Sequence, residues 1–196
     1  NIFLSQSMLK IEFRHVRKSF DDNRVLRDVN LGVKNGETMA VIGRSGSGKS
    51  VILKLMTGLL KPDAGQTFVD GEDISPLREK ELFRVRRKFG FLFQSAALLD
   101  SLTVGENVGL ALRELRARPP EEVDRIVAEK LAMVGLNGVE DVMPVDLSGG
   151  MRKRVGLARA IALEPEIILY DEPTTGLDPV TADAINELIL RLRDRM

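Results

Sequence analysis

Gly43-Arg44-Ser45-Gly46-Ser47-Gly48-Lys49-Ser50 follows the spacing G-x-x-x-x-G-K-S, the pattern of a loop that cradles phosphate. Its glycines let the backbone bend tightly and aim successive N–H groups at one anion. Lys49 is placed to reach the β- and γ-phosphates of a nucleotide, and the Ser50 hydroxyl to hold Mg²⁺. Met39-Ala40-Val41-Ile42, just upstream, reads as a short buried strand, and Val51 to Met56 is apolar at helical spacing. Strand, glycine-rich turn and helix form the setting that such a loop requires. The new helix adds its positive N-terminal end.

Two further blocks carry chemistry. Asp146-Leu147-Ser148-Gly149-Gly150-Met151 precedes a long helix predicted over Arg152 to Leu163. A serine and two glycines ahead of a helix build a second anion-binding N-terminus, or a plain N-cap. One phosphate loop needs a single such site, so the second suggests a phosphate contact with another molecule's nucleotide. In Ile167-Ile168-Leu169-Tyr170-Asp171-Glu172-Pro173 an apolar strand delivers two adjacent acids to its C-terminal end, the edge where ligands sit in open parallel sheets. Asp171 suits the Mg²⁺-holding acid of phosphate-loop enzymes. Glu172 beside it suits the base that polarises water for attack on a γ-phosphate.

The elements that must position these residues follow from the rest of the chain. Its 196 residues suffice for one good core, with room for a small subdomain. With 29 basic and 29 acidic residues the net charge is zero, which gives no support for a nucleic-acid footprint or a polybasic membrane patch. No cysteine is present, which removes disulfides, thiolate metal sites and cysteine nucleophiles and fits a reducing compartment. The apolar runs fall short of the roughly 20 residues that span a bilayer, so action at a membrane implies docking on another protein.

Residues 1–7 lack periodicity and read as a leader or expression remnant. Leu9 to Val16 alternates as a half-buried strand, with His15 on the face of Leu9, Ile11 and Phe13; as the only histidine, at a strand end, it is assigned no role. Phe20, from position alone, reads as a core residue. Val25 to Val33 suggests another strand, Gln66 to Val69 a third, and Asp70-Gly71 a hairpin turn. The basic run Lys80 to Lys88 reads as a solvated helix face, and Phe89 to Phe93 as a buried strand that ends at Gln94. Ser95 to Leu102 is unusually apolar for a loop and reads either as inward packing or as a patch for a partner. Thr103 and Glu106 have capping-box spacing, Pro119-Pro120 breaks the chain, and a second helix runs from Glu121 to a stop at Gly135. A last amphipathic helix is predicted over Ala184 to Arg193.

Taken together, the sequence from Met8 to Met196 resembles an ATP-binding-cassette (ABC) ATPase domain. The resemblance rests on Gly43 to Ser50 (Walker A), Gln94 (Q-loop), Leu147 to Met151 (signature), Ile167 to Glu172 (Walker B with the catalytic glutamate) and Gly176-Leu177-Asp178 (D-loop). It implies an α/β fold: a phosphate-loop, RecA-like ATPase core over residues 8–93 and about 147–196, with an antiparallel β subdomain, and a helical subdomain over about 94–146. It implies ATP and Mg²⁺ as cofactors. Gly43, Arg44, Ser45, Gly46, Ser47, Gly48, Lys49, Ser50 and Val51 would bind the phosphates, and Phe20 takes the place of the adenine-stacking aromatic, against its reading by position. Ser50, Gln94 and Asp171 would hold the metal, and Glu172 and Gln94 would serve hydrolysis. The family works as a head-to-tail pair of ATPase subunits, so Ser148, Gly149, Gly150 and Met151 would meet the other subunit's γ-phosphate, with Asp178 in the D-loop at the same junction.

Met151 stands where the family usually has Gln, Val51 where Thr is common, and Gly176 where Ala is common. The signature variant, with Phe93 to Leu98 and Met143-Pro144, is similar to the Mla/Mkl branch, which drives phospholipid transport through a separate membrane permease with MCE-type lipid-binding partners. That resemblance implies a homodimer or a pair with a second ATPase subunit, peripheral on the cytoplasmic face of the inner membrane and without nucleic acid. The histidine that the family places on the strand after the D-loop helix is not found before Met196, and His15 lies too early to replace it. This reads as a truncated form that binds Mg-ATP and hydrolyses it poorly alone. The alternatives are a non-transport ABC ATPase, from which the single compact cassette and zero net charge point away, and a nucleotide-dependent regulatory module, from which intact Lys49, Asp171 and Glu172 point away.

Overall fold

In this computed structural model, residues 9–115 and 118–193 are described; the leader expected over 1–7 lies outside them. The chain divides into two units at Arg86/Arg87.

In the first unit, alternating apolar residues build a four-stranded antiparallel sheet of order β2-β1-β3-β4. Its strands are β1 (Leu9–Phe20), β2 (Asn23–Lys34), β3 (Ala64–Val69) and β4 (Glu72–Asp73). Asp70 and Gly71 both have positive φ, 50° and 78°, the backbone of a tight two-residue hairpin turn. Helices α1 (Lys49–Met56) and α2 (Glu79–Arg86) complete the unit. Its core holds Ile11, Phe13, Val16, Val69, Leu55, Met56, Leu82 and Val85. The remainder of α2 is largely exposed, Phe83 included, as a solvated basic face requires.

Two strand expectations fail in this unit. His15 does not share the face of Ile11 and Phe13. The pairing of β1 with β2 slips between Phe13 and Val16, and His15 takes φ 52°. The extra residue of this bulge resets the alternation, so Val16 points inward while His15 is exposed, with Nδ1 3.2 Å from Asp28 Oδ1. Met39 to Ile42 is not a strand: the run pairs with none of the described strands, and Ile42 is 93% exposed. Apolarity suits a strand, but only a neighbouring backbone makes one, and neither edge of this sheet receives the run.

In the second unit, β5 (Phe89–Leu92) and β6 (Ile167–Tyr170) pair in parallel, Leu92 opposite Tyr170. Helices α3 (Val104–Glu114), α4 (Pro120–Met133), α5 (Gly149–Ile161) and α6 (Pro179–Arg193), with a 3₁₀ turn at Pro144–Asp146, enclose a core that includes Leu92, Val108, Leu131, Val134, Leu157, Ile161 and Ile185. The capping box of α3 is complete: Thr103 Oγ1 accepts from Glu106 N at 3.2 Å, and Glu106 Oε2 from Thr103 N at 2.8 Å. Helices α5 and α6 begin three and five residues ahead of their predicted starts. Ser148 and Asp178 cap them from polar side chains, and an apolar stripe does not register such a first turn.

The segment after β5 divides its side chains. Ala96 is fully buried and Leu98 partly so, whereas Ala97 and Leu99 face outward. Buried Asn107 holds this segment: Oδ1 accepts from Leu99 N at 2.8 Å, and Nδ2 lies 3.0 Å from the carbonyls of Leu99, Leu102 and Thr103.

Candidate functional site

The phosphate loop turns on left-handed glycines, Gly46 at φ 77° and Gly48 at φ 99°. Gly48 is the N-cap of α1, and a Cβ there would stand 2.8 Å from Val25 Cγ1. Both conformation and space therefore require glycine. Ser47 N donates to Arg44 O at 3.1 Å, closing the turn, and Ile52 N donates to Gly48 O at 2.9 Å, starting the helix. Lys49 Nζ bridges the loop from within, 3.1 Å from Gly43 O and 3.2 Å from Arg44 O. An ammonium held over a glycine turn at a helix N-terminus, with the Ser50 hydroxyl next to it, fits a polyphosphate with a hard cation. Phe20, in the same unit, is 42% exposed, with Lys18 Nζ 5.5 Å from its ring centroid. It is not the core residue that position alone suggests.

The remaining candidates belong to the second unit. Parallel pairing of β5 and β6 sends both chains out at one C-terminal edge, and Asp171 N donates to Leu92 O at 2.9 Å. Gln94 and the Asp171-Glu172 pair thus leave neighbouring strands side by side, at the edge where open parallel sheets bind ligands. Asp171 is buried, 8% exposed. Glu172 takes φ 46°, and its Oε2 accepts from Thr175 Oγ1 at 3.0 Å. A non-glycine residue in that region costs about 1–3 kcal/mol and is characteristic of functional turns.

Among the described residues no group of three or more His, Cys, Asp or Glu could hold a metal. Magnesium in nucleotide sites asks for less: one or two protein oxygens, with phosphates and waters completing an octahedron. Ser50 and Asp171 are oxygen donors of that kind.

Ser148 caps α5 by accepting from Met151 N at 3.2 Å. Its hydroxyl keeps a proton to donate, and the amides of Gly149 and Gly150 are first-turn donors that no intrahelical carbonyl reaches. A Cβ on Gly150 would stand 2.7 Å from Thr181 Cγ2, and one on Gly149 3.4 Å from Leu177 Cδ2. The signature glycines therefore lie against the D-loop and the start of α6. Asp178 Oδ1 accepts from Thr181 N at 3.1 Å, and hydrogen bonds from Thr181 hold the Asp178 carboxyl below the usual range.

Sequence reading missed Lys153 and Arg159. Lys153 is 5% exposed, and its ammonium donates to Gln94 O. Burial lowers its pKa, while Asp171 and then Glu172 oppose the fall. Arg159 donates from Nη2 to Ala96 O at 2.6 Å and from Nη1 to Ala97 O at 2.7 Å. The available signal was a spacing of three: Lys153, Gly156 and Arg159 share one face of a helix whose neighbours Val155, Leu157 and Ala158 are buried.

A glycine-turn phosphate loop, with an acid pair at the end of a parallel strand, defines a phosphate-loop nucleotide-binding protein. The family model described as ABC transporter matches residues 26–175, and the chain belongs to that family. It is 47% identical over 182 residues to the probable ribonucleotide transport ATP-binding protein mkl of Mycobacterium bovis (strain ATCC BAA-935 / AF2122/97), covering 93% of this chain and 51% of that protein. It is 42% identical over 186 residues to the intermembrane phospholipid transport system ATP-binding protein MlaF of Haemophilus influenzae (strain ATCC 51907 / DSM 11121 / KW20 / Rd), covering 95% and 70%. A solved dimer of an ATP-binding cassette in a post-hydrolysis state, bound to ADP and Pi, matches with a TM-score of 0.87 and 37% identity over 94% of this chain and 83% of that one. The fold is thus that of an ABC ATPase cassette, with its antiparallel β portion and its helical portion. The chain spans about half the length of the mkl relatives it matches.

Proposed function

We propose that this chain is the ATP-binding and ATP-hydrolysing part of an ABC transporter, powering transport through a separate integral membrane permease. The observation that carries this reading is the common edge of β5 and β6, where Gln94, Asp171 and Glu172 emerge together, in a chain that also holds a complete phosphate loop. Lys49 and the loop amides from Gly43 to Ser50, with Val51 following, hold the phosphates, and Phe20 stacks on the base. Ser50, Asp171 and Gln94 would hold Mg²⁺, which would supply neutralisation of the phosphate charge. Glu172, fixed by Thr175, takes a proton from the attacking water. Ser148, Gly149, Gly150 and Met151 meet the nucleotide of a second ATPase subunit, with Asp178 beside them.

Names of similar proteins divide over cargo among ribonucleotide, intermembrane phospholipid and methionine. Phospholipid or another hydrophobic cargo is favoured by the Leu147-Ser148-Gly149-Gly150-Met151 variant and by Phe93 to Leu98, the features shared with the Mla/Mkl branch. Such a system places the chain at the cytoplasmic face of the inner membrane, with an MCE-type lipid-binding protein as a further partner. No described helix is long and apolar enough to cross a membrane, which agrees with attachment through the permease. The test is recovery of the full-length protein from its native membranes in mild detergent, with partners identified by mass spectrometry. A polytopic permease together with a lipid-binding partner supports the reading; soluble partners alone would remove the transporter assignment.

A further inference from the structure

We propose that Lys153 is a positioning residue for hydrolysis, its buried ammonium tying the turn after β5 to α5 so that Gln94 is held at the shared edge of β5 and β6. The proposal rests on the ATPase reading above and adds to it a residue outside the motifs.

Lys153 belongs to α5, the helix that begins at the signature, and its ammonium reaches the backbone carbonyl of Gln94. The side chain is nearly sealed from solvent, at 5% exposure. A buried cation requires nearby anions or acceptors to be tolerated; Lys153 has the Gln94 carbonyl and the field of Asp171 and Glu172.

The same helix face grips the turn at two further points. A Cβ on Gly156 would stand 2.7 Å from Leu92 Cδ1 and 3.1 Å from Ala96 Cβ, so α5 lies in close contact with the end of β5. Arg159 then binds the carbonyls of Ala96 and Ala97, two residues at φ 62° and 46°. Non-glycine residues persist in that region only where the surroundings hold them. Gly156 and Arg159 fix the shape of the turn. Lys153 adds a charged hydrogen bond to the carbonyl of Gln94 itself, and this separates its role from that of a packing residue.

The test compares Lys153→Met, which keeps the apolar stem without the charge, and Lys153→Arg, which keeps the charge, in the full-length protein. Expected for Lys153→Met is a loss of about tenfold to hundredfold in kcat, the scale seen when a group supporting a metal-site ligand is removed. KM for MgATP and affinity for a fluorescent ATP analogue should stay within about threefold, since the phosphate-loop contacts are untouched. Amide hydrogen exchange over 94–98 should quicken, and Lys153→Arg should restore kcat to within about threefold of the parent. A kcat for Lys153→Met within about twofold of the parent overturns the proposal, as does a loss that arginine fails to restore. If Lys153→Met does not fold, Lys153→Gln is held to the same criteria; failure of both neutral variants to fold would make Lys153 a structural cation and the proposal wrong. A parent protein without ATP turnover would instead sink the ATPase reading, an outcome visible before any Lys153 variant is made.

Discussion

Substitution of Gly90 by alanine tests how closely α5 and β5 are fitted. Gly90 lies in the middle of β5, and a Cβ there would stand 2.3 Å from Ala160 O, 2.9 Å from Pro165 Cγ and 3.0 Å from Ala160 C. Two of these three atoms are backbone, which has no rotamer into which to escape. The strand must retreat from α5 by about 1 Å to recover ordinary van der Waals contact. Overpacking of a tight core costs about 1–3 kcal/mol, and a backbone clash belongs at the upper end. Alanine returns about 0.4–1 kcal/mol by restricting the unfolded chain. The net loss is about 2 kcal/mol, which lowers the melting temperature of a domain of this size by roughly 4–8 °C. Thermal unfolding of the full-length protein followed by circular dichroism reads this directly. Gly32→Ala is the control: its nearest atom, Leu9 Cδ1 at 3.0 Å, is the end of a flexible side chain. A Gly90→Ala midpoint equal to the parent's, or no lower than that of Gly32→Ala, would refute the reasoning.

Other perturbations have equally definite outcomes. Lys49→Ala removes a charge-assisted donor to phosphate, worth about 1.5–3 kcal/mol, so ATP affinity by equilibrium titration should fall roughly tenfold to hundredfold; unchanged affinity would dissociate Lys49 from the phosphates. Glu172→Gln in the complete protein should lower kcat by about a hundredfold or more while retaining ATP and a dimer visible by size exclusion; parental turnover would remove the general-base role. Asp178 should titrate below the ordinary aspartate value, because hydrogen bonds from Thr181 favour its ionised form. With its folded pKa lowered, the stability that it gives the start of α6 is present above the ordinary carboxylate range and is lost as pH falls through the lowered value. An NMR titration finding the midpoint at or above 3.8, its ordinary value, contradicts this.

The sequence by itself determined the features whose chemistry is local. The phosphate loop is a run of glycines and one lysine whose conformations follow from residue type. The Thr103–Glu106 box, the Asp70-Gly71 turn and the cap at Ser148 each close within three or four residues, so no distant partner had to be known. The acid pair was legible because an apolar strand ending in two acids carries its own direction. Tertiary structure decided what depends on a partner far along the chain. His15 faces out because the pairing of β1 slips beside it, and pairing register is a property of two strands. Met39 to Ile42 has the apolarity of a strand and pairs with none of the described strands. Nothing in the sequence singled out Lys153. It became part of the site only when folding brought Gln94, 59 residues earlier, to its ammonium, and burial then made that contact obligatory by removing the water that would otherwise have solvated the charge.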